Sequence, residues 1–244
     1  MSEKHEVEWT PEKVSRIWEH ISKRASDSPS ARYFSDIFGD DIICQVNRRA
    51  RIKGDILDFG CGGGHLIEKL LKRGARCEGV DFSKESVERL MARKDSLPNK
   101  DLFIGATAID SIPSPDLRPD AYDMVFLIET IEHLFPSEID STLTEINRVL
   151  KKGGTIVVTT PNKENLNDSK EMCPDCGCVF HRVQHMRSWT PEELADVMDK
   201  AGFTKVFSTA VLFFNVPIAT PILRIGIKLT GRKLPHLLYI GKKR

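Results

Sequence analysis

No run of this chain reaches the roughly 18 uninterrupted apolar residues that a membrane-spanning helix needs. Stacking aromatics are scarce, with three Trp and three Tyr, so little is on hand for the base-stacking platforms of single-stranded RNA recognition. Neither sign of charge dominates, since the formal net charge is +1, which excludes the strongly polybasic and polyacidic classes. Cysteine is sparse and unevenly placed: of six, three fall within residues 173–178. That distribution does not make a disulfide framework and points to a metal site or free thiols. The opening residues, MSEKHEVEWTPEK, are too polar for a secretory signal, so the expected compartment is cytoplasmic. Acidic residues are missing from one region: after Asp199 there is no Asp or Glu, while Lys200, Lys205, Arg224, Lys228, Arg232, Lys233, Lys242, Lys243 and Arg244 follow. Such a tail suits phosphate-bearing partners or serves only as a solubilising end.

What is present is an alternation of short apolar runs with amphipathic stretches. The 244 residues allow one large domain. Strands are predicted at 55–59, 76–80, 102–105, 122–127, 155–160, 204–214 and 237–240, with helices at 65–73, 83–94, 137–150 and 190–201. The last helix carries Thr190-Pro191-Glu192-Glu193, an N-cap followed by proline in the first turn and a reciprocal Glu. Regular alternation of this kind predicts an α/β fold: a doubly wound, Rossmann-like sheet with helices on both faces and ligands beyond the strands' carboxyl ends. Residues 1–50 read as an N-terminal helical cap and 51–244 as the main domain, with insertions at about 163–188 and 213–235.

The most informative segment is 58–65, DFGCGGGH, which joins the first strand directly to a helix. Gly60, Gly62 and Gly64, with Cys61 between the first two, permit left-handed backbone and close approach of a ligand, and the helix behind them offers free N–H groups. Asp81 then ends the second strand, where a carboxylate can accept both hydroxyls of a ribose. A nucleoside-containing cofactor follows. The dinucleotide fingerprint fails, because its third glycine position is His65. Asp58 would repel a pyrophosphate and pair instead with the ammonium of a methionine moiety.

This segment resembles motif I of the class I S-adenosylmethionine-dependent methyltransferases, and the resemblance runs over residues 50–210. Gly79-Val80-Asp81-Phe82-Ser83 is similar to the family's second motif, which implies Asp81 on the ribose and Phe82 beside the adenine. Residues 123–126, DMVF, resemble the family's fourth strand, beyond which Ile128 is an expected cofactor contact, and residues 148–154, RVLKKGG, resemble its turn before strand five. Residues 236–243, HLLYIGKK, resemble its final strand, which implies a seven-stranded, mostly parallel sheet with the last strand antiparallel and inserted between its neighbours. One departure stands out: Ala108 occupies the position where relatives carry the acidic adenine contact, leaving Thr107, backbone groups or Asp110 for that role.

Methyl transfer from a sulfonium needs alignment and exclusion of water, and a base only if the acceptor must lose a proton. Glu129, Glu132 and His133 follow strand four and would converge on one face of a helical turn, as base or as ligands for a divalent cation such as magnesium. The E-x-x-E-H pattern, with Thr159-Thr160-Pro161-Asn162 and His185, resembles the small-RNA 2′-O-methyltransferases, in which two glutamates and two histidines hold magnesium; it equally resembles the quinone-biosynthesis O-methyltransferases. Cys173, Cys176 and Cys178 with His181 and His185 form a candidate structural zinc set on a C-P-x-C-G turn. His185 is thus claimed by two sites. Residues 213–235, apolar with spaced cations, read as a lid or as a surface for a membrane, an anionic lipid-linked substrate or nucleic acid.

Taken together, the sequence predicts O-methylation of a small-molecule, glycan or lipid-linked acceptor. An RNA 2′-O-methyltransferase using Glu129, Glu132, His133 and His185 is the alternative, and a non-catalytic cofactor-binding module is the reading from another class.

Overall fold

The computed structural model describes residues 4–27, 32–215 and 234–244. In chain order its elements are β1 (His5–Glu6), α1 (Pro11–Asp27), α2 (Phe34–Asn47), β2 (Asp55–Phe59), α3 (His65–Lys72), β3 (Arg76–Asp81), α4 (Lys84–Ala92), β4 (Phe103–Ala108), β5 (Tyr122–Ile128), α5 (Pro136–Val149), β6 (Leu150–Pro161), β7 (Lys170–Met172), β8 (Cys178–His181), α6 (Pro191–Lys200), β9 (Phe203–Val211) and β10 (His236–Lys243).

Seven strands form the main sheet in the order β4-β3-β2-β5-β6-β10-β9. From β4 to β6 the pairings are parallel; β10 runs antiparallel to both β6 and β9, inserted between them. The mostly parallel seven-stranded sheet with its antiparallel last strand is therefore as expected. Alternate residues of each strand feed two separate cores, because successive side chains leave opposite faces. Leu57, Val125, Leu127, Ile156, Val158 and Tyr239 join α5 and α6 on one face. Ile56, Met124, Phe126, Val157, Leu238 and Ile240 join α2 and α3 on the other. Burial on both faces is why these strands read as continuous apolar runs instead of an alternating pattern.

The chain leaves β2 outward to β3 and β4, then returns to add β5 on the opposite side of β2. The loops after β2 and β5 diverge there and open a crevice at the carboxyl ends. Two helices precede the sheet. α2 buries Ile42, Ile43 and Val46 in the second core, and Trp18 of α1 donates its indole N–H to Gln184 Oε1 at 2.8 Å. A separate three-stranded sheet, β1-β8-β7, fills the segment expected to be an insertion. Its β7–β8 hairpin turns through Cys173 and Gly177 (Gly177 N–H to Cys173 O, 3.0 Å), and β1 pairs with β8 in parallel. The strand contributed by residues 5–6 was not expected. Of the apolar, basic segment read at 213–235, residues 216–233 lie outside the described residues. No helix among the described residues is long and apolar enough to cross a membrane.

Leu238 is fully buried and lies on the strand that joins β6 to β9. Leu238→Ala should lower unfolding free energy by about 2–5 kcal/mol, read as a reduced urea midpoint with an unchanged slope.

Candidate active site

The crevice floor is built from the ends of β2 and β3, where Phe59 lies beside Val80. Gly60 and Cys61 both donate their N–H groups to Val80 O, at 2.8 and 3.0 Å, which bends the chain out of β2 at once. Two glycines are required here. Gly60 has φ +84°, and a Cβ on it would stand 2.7 Å from Thr130 Oγ1; Gly64 has φ +75°, and a Cβ would stand 2.4 Å from Leu90. The first contact also shows that the loops after β2 and β5 touch. Asp81 closes the loop. Its Oδ2 accepts the Gly62 N–H at 2.7 Å and its Oδ1 the Ser83 N–H at 2.8 Å. Two of roughly four carboxylate lone-pair sites are thereby used, which leaves acceptor capacity for a diol.

Asp58 is buried behind this loop at 3% exposure. Burial, with the neighbouring Asp81 carboxylate, pushes its pKa up to about 8. Burial also raises Asp81, against the backbone N–H groups that favour its charge. Two buried acids with no counter-charge fit a ligand that brings a cation, as the ammonium of S-adenosylmethionine does. Tyr33, ahead of α2, covers the loop: a Cβ on Gly62 would be 3.6 Å from its ring. Its hydroxyl donates to Ser22 of α1 at 3.1 Å. On the far side, Thr107 and Ala108 end β4 beside Val80 and Asp81, and Phe82 is 48% exposed at the rim. Ile128 ends β5 across the crevice. The structure therefore brings Asp58, Gly60, Cys61, Gly62, Gly64, Asp81, Phe82, Thr107, Ala108 and Ile128 to one end of the sheet.

The second cluster follows β5. Residues 131–133 form a turn, closed by His133 N–H to Thr130 O at 3.1 Å, and α5 begins only at Pro136. The helical turn expected at Glu129–His133 is thus absent, and its three side chains are held another way. Glu129 has φ +46°, a left-handed conformation that costs a non-glycine residue about 1 kcal/mol or more and recurs at functional sites. Its Oε2 lies 3.7 Å from His236 Nδ1, beneath the rings of Phe34 and Phe213. Glu132 is fully buried; Oε2 accepts from Thr160 Oγ1 at 3.0 Å, while Oε1 lies buried without a hydrogen-bond partner, 3.9 Å from His133 Nε2. Glu129 Oε1 is likewise buried and unpartnered.

Burial, then the Glu129 charge, pushes the Glu132 carboxyl well above the usual range. Burial and His185 push His133 down to about 3, so its ring stays neutral. Donor atoms of Glu132, His133 and His185 lie within 4.8 Å of one another. A distant segment closes the cluster. Gln184, at φ +58°, donates to His133 O at 2.9 Å and accepts from Trp18, whose ring packs edge-on against His133 at 4.7 Å.

The five residues expected to hold zinc are not brought together. Among the described residues, Cys173, Cys176 and Cys178 join no group of three donor residues. Cys178 and His181 are three apart on β8 and so project from opposite faces. His181 and His185 turn instead toward Glu164, the second group of three. His185 also belongs to the first, with Glu132 and His133. Glu164, Gln184, Trp18 and Tyr33 escaped the sequence reading; only the proximity of His181 and His185 hinted at a shared acidic partner.

Two outcomes test the cofactor half of the site. The folded-state value of Asp58 lies above the unfolded one, so its contribution to the empty fold is complete below pH 3.8 and is lost as pH rises through about 8. A ligand that needs it ionised must displace a proton. Calorimetry should show S-adenosylhomocysteine binding weakening as pH drops from 8 to 6, by up to about tenfold per unit, and Asp58→Asn should flatten that slope. Asp81→Ala should cost about 1.5–3 kcal/mol of the same affinity; unaltered binding would remove Asp81 from the ligand.

Comparison with known proteins agrees with this geometry. The sequence pattern of the methyltransferase domain matches residues 12–207. Ubiquinone biosynthesis O-methyltransferase of Idiomarina loihiensis is 28% identical over 167 residues, covering 65% of each chain. The mitochondrial enzyme of that name from Mus musculus is 33% identical over 170 residues, covering 66% of this chain and 44% of the mouse protein. These matches thus span between about half and two thirds of the relatives' own length. Among solved structures, Burkholderia thailandensis 1,6-didemethyltoxoflavin-N1-methyltransferase, with its substrate and S-adenosylhomocysteine bound, superposes with a TM-score of 0.66 at 15% identity, covering 98% of this chain and 92% of that one. At that identity the likeness speaks for the fold alone. A methyltransferase-domain match over most of the chain, on a seven-stranded sheet with a glycine loop after β2 and an acid at the end of β3, places this protein in the class I S-adenosylmethionine-dependent methyltransferases.

Proposed function

We propose that the protein transfers a methyl group from S-adenosylmethionine to a hydroxyl of a small molecule, with a divalent cation held beside the acceptor. The observation that carries this reading is the cluster after β5: Glu132 Oε1 and Glu129 Oε1 are buried without partners, and His133, kept neutral by burial, stands with His185 next to the first. Buried carboxylate oxygens of this kind are costly unless a cation completes them. Two carboxylates and two imidazoles suit magnesium, manganese or zinc. A cation there lowers the pKa of a bound hydroxyl and orients it.

The remaining work falls to the chain. Asp58 and the Gly60–Gly64 loop receive the amino-acid end of the cofactor, and Asp81 receives its ribose. Phe82, Thr107 and Ala108 flank the base, and Ile128 borders the sulfonium side. Contact between Thr130 and Gly60 sets the acceptor cluster directly against the cofactor loop, and such alignment is the main requirement of an in-line displacement. Tyr33 and Trp18 bring the N-terminal helices over both halves, a cap that excludes water. Phe34, Phe38 and Phe213 around His236 offer an apolar wall suited to a flat acceptor. The relatives' name, ubiquinone biosynthesis O-methyltransferase, agrees with an acceptor of that shape.

RNA 2′-O-methylation stays as a second reading because His185 joins Glu132 and His133. A glycan or lipid-linked acceptor, or a membrane contact, would draw on the basic segment whose residues 216–233 lie outside the described ones. At the cysteine turn, Cys173 and Cys176 can give zinc two thiolates, and its remaining ligands would come from elsewhere.

Methyl transfer from labelled S-adenosylmethionine should be measured on ortho-dihydroxy aromatics and on short RNA duplexes, with and without chelator. The expected result is methylation of the aromatic, lost with chelator and reduced on the order of a hundredfold or more by Glu132→Gln. Turnover only on RNA, with binding that falls steeply with salt, would install the second reading. Full activity in chelator would remove the cation.

A further inference from the structure

We propose that Glu164 and His181 are positioning residues that hold His185 in its Nδ1–H tautomer and so present its Nε2 lone pair to the Glu132–His133 cluster; this rests on the cation reading above.

The same three side chains satisfy a simple distance test for a second ion site, but their hydrogen bonds say otherwise. His181 Nδ1 accepts the backbone N–H of His185 at 3.1 Å. A neutral imidazole has one lone-pair nitrogen, so the ring proton of His181 sits on Nε2. That nitrogen is buried, on a side chain 3% exposed, with no closer hydrogen-bond partner, and the acceptor it faces is Glu164 Oε1 at 3.5 Å. With one nitrogen accepting and the other protonated, His181 has nothing to give a metal. It is a donor aimed at Glu164.

Glu164 passes the constraint on. Its Oε2 meets His185 Nδ1 at 2.5 Å, and since an ionised carboxylate only accepts, Nδ1 must carry the proton. The Glu164 carboxylate is set between the two rings, Oε1 3.5 Å from His181 Nε2 and Oε2 2.5 Å from His185 Nδ1. The lone pair of His185 is then on Nε2, and His185 is the member of this trio that also approaches Glu132 and His133. The two rings stack 4.6 Å apart at 17°, which fixes the plane of His185 as well as its tautomer. Glu164 is anchored by the residue before it, Lys163, whose N–H bonds Trp189 O at 2.8 Å. Carboxylates that orient a ligating imidazole in this way commonly govern metal affinity by ten- to a hundredfold.

The test uses the full chain, purified with chelator and saturated with S-adenosylhomocysteine. Long-range proton–nitrogen spectra of the imidazoles should show His185 protonated at Nδ1, and Glu164→Ala should shift it toward Nε2–H. Manganese affinity, read by the paramagnetic signal of the free ion, should fall ten- to a hundredfold in Glu164→Ala and less in the isosteric Glu164→Gln. Cofactor affinity should stay within about twofold in both, a readout that a general loss of packing would move. His185 found as Nε2–H in the parent, or an unchanged tautomer and manganese affinity in both variants, overturns the proposal. A parent that shows the Nδ1–H tautomer and its dependence on Glu164, yet binds no manganese, would keep the positioning role and sink the cation reading alone.

Discussion

The bond from Gly62 N–H to Asp81 Oδ2 is the contact on which the cofactor end depends. It ties a loop made almost wholly of glycine, with little conformational preference of its own, to the rigid end of β3. Without it, the segment after Phe59 would keep the two bonds to Val80 O, the Gly64 N–H to Cys61 O bond and the Arg93 bond to Gly63 O, but nothing would hold the Gly62 N–H. The clasp costs something, because it holds a carboxylate beside buried Asp58, whose pKa burial and the Asp81 charge push up to about 8. An empty site of this kind is electrostatically frustrated. On the proposed reading, an ammonium at Asp58 and a diol at Asp81 would relieve it together.

The acceptor end repeats the theme with different chemistry. Glu129 and Glu132 are drawn into the interior by the end of β5 and by Thr160 of β6, and the side chains set beside them are the imidazoles of His236 and His133. Residues at positive φ sit on both sides of the cluster, Glu129 on the β5 loop and Gln184 on the insertion. Glu129 is held against its own preference by its N–H bond to Thr159 O of β6, and Gln184 by its side-chain bond to His133 O. The strain is sustained by closure: α1 packs Trp18 on His133, and Met186 N–H bonds Glu132 O at 3.0 Å. Three stretches far apart in sequence thus share one small polar interior.

Legibility in the sequence differed between these two ends. The strand-loop-helix-strand run from Asp55 to Asp81 is local, and each residue type answers to a backbone requirement within a few positions, so periodicity and glycine placement were sufficient. The E-x-x-E-H run was recognisable as chemistry, but its expected helical convergence did not occur, since left-handed Glu129 turns the chain before α5. Glu164 gave no signal because an isolated glutamate in a polar connection has no pattern. The cysteine turn was legible as a turn; its supposed histidine partners were not, because strand alternation sends Cys178 and His181 to opposite faces.

By itself, the sequence determined the sheet, its order of elements, and the cofactor loop with Asp58 and Asp81. These follow from apolar period, chain punctuation and short-range spacing, which act over a few residues. Only the tertiary structure decided which distant side chains share the buried space beyond β5. It paired Glu129 with His236, set His185 between Glu132 and Glu164, and laid Trp18 and Tyr33 over the crevice. Burial and proton position are properties of the closed interior, and they arise only once segments separated by a hundred residues or more have packed against one another.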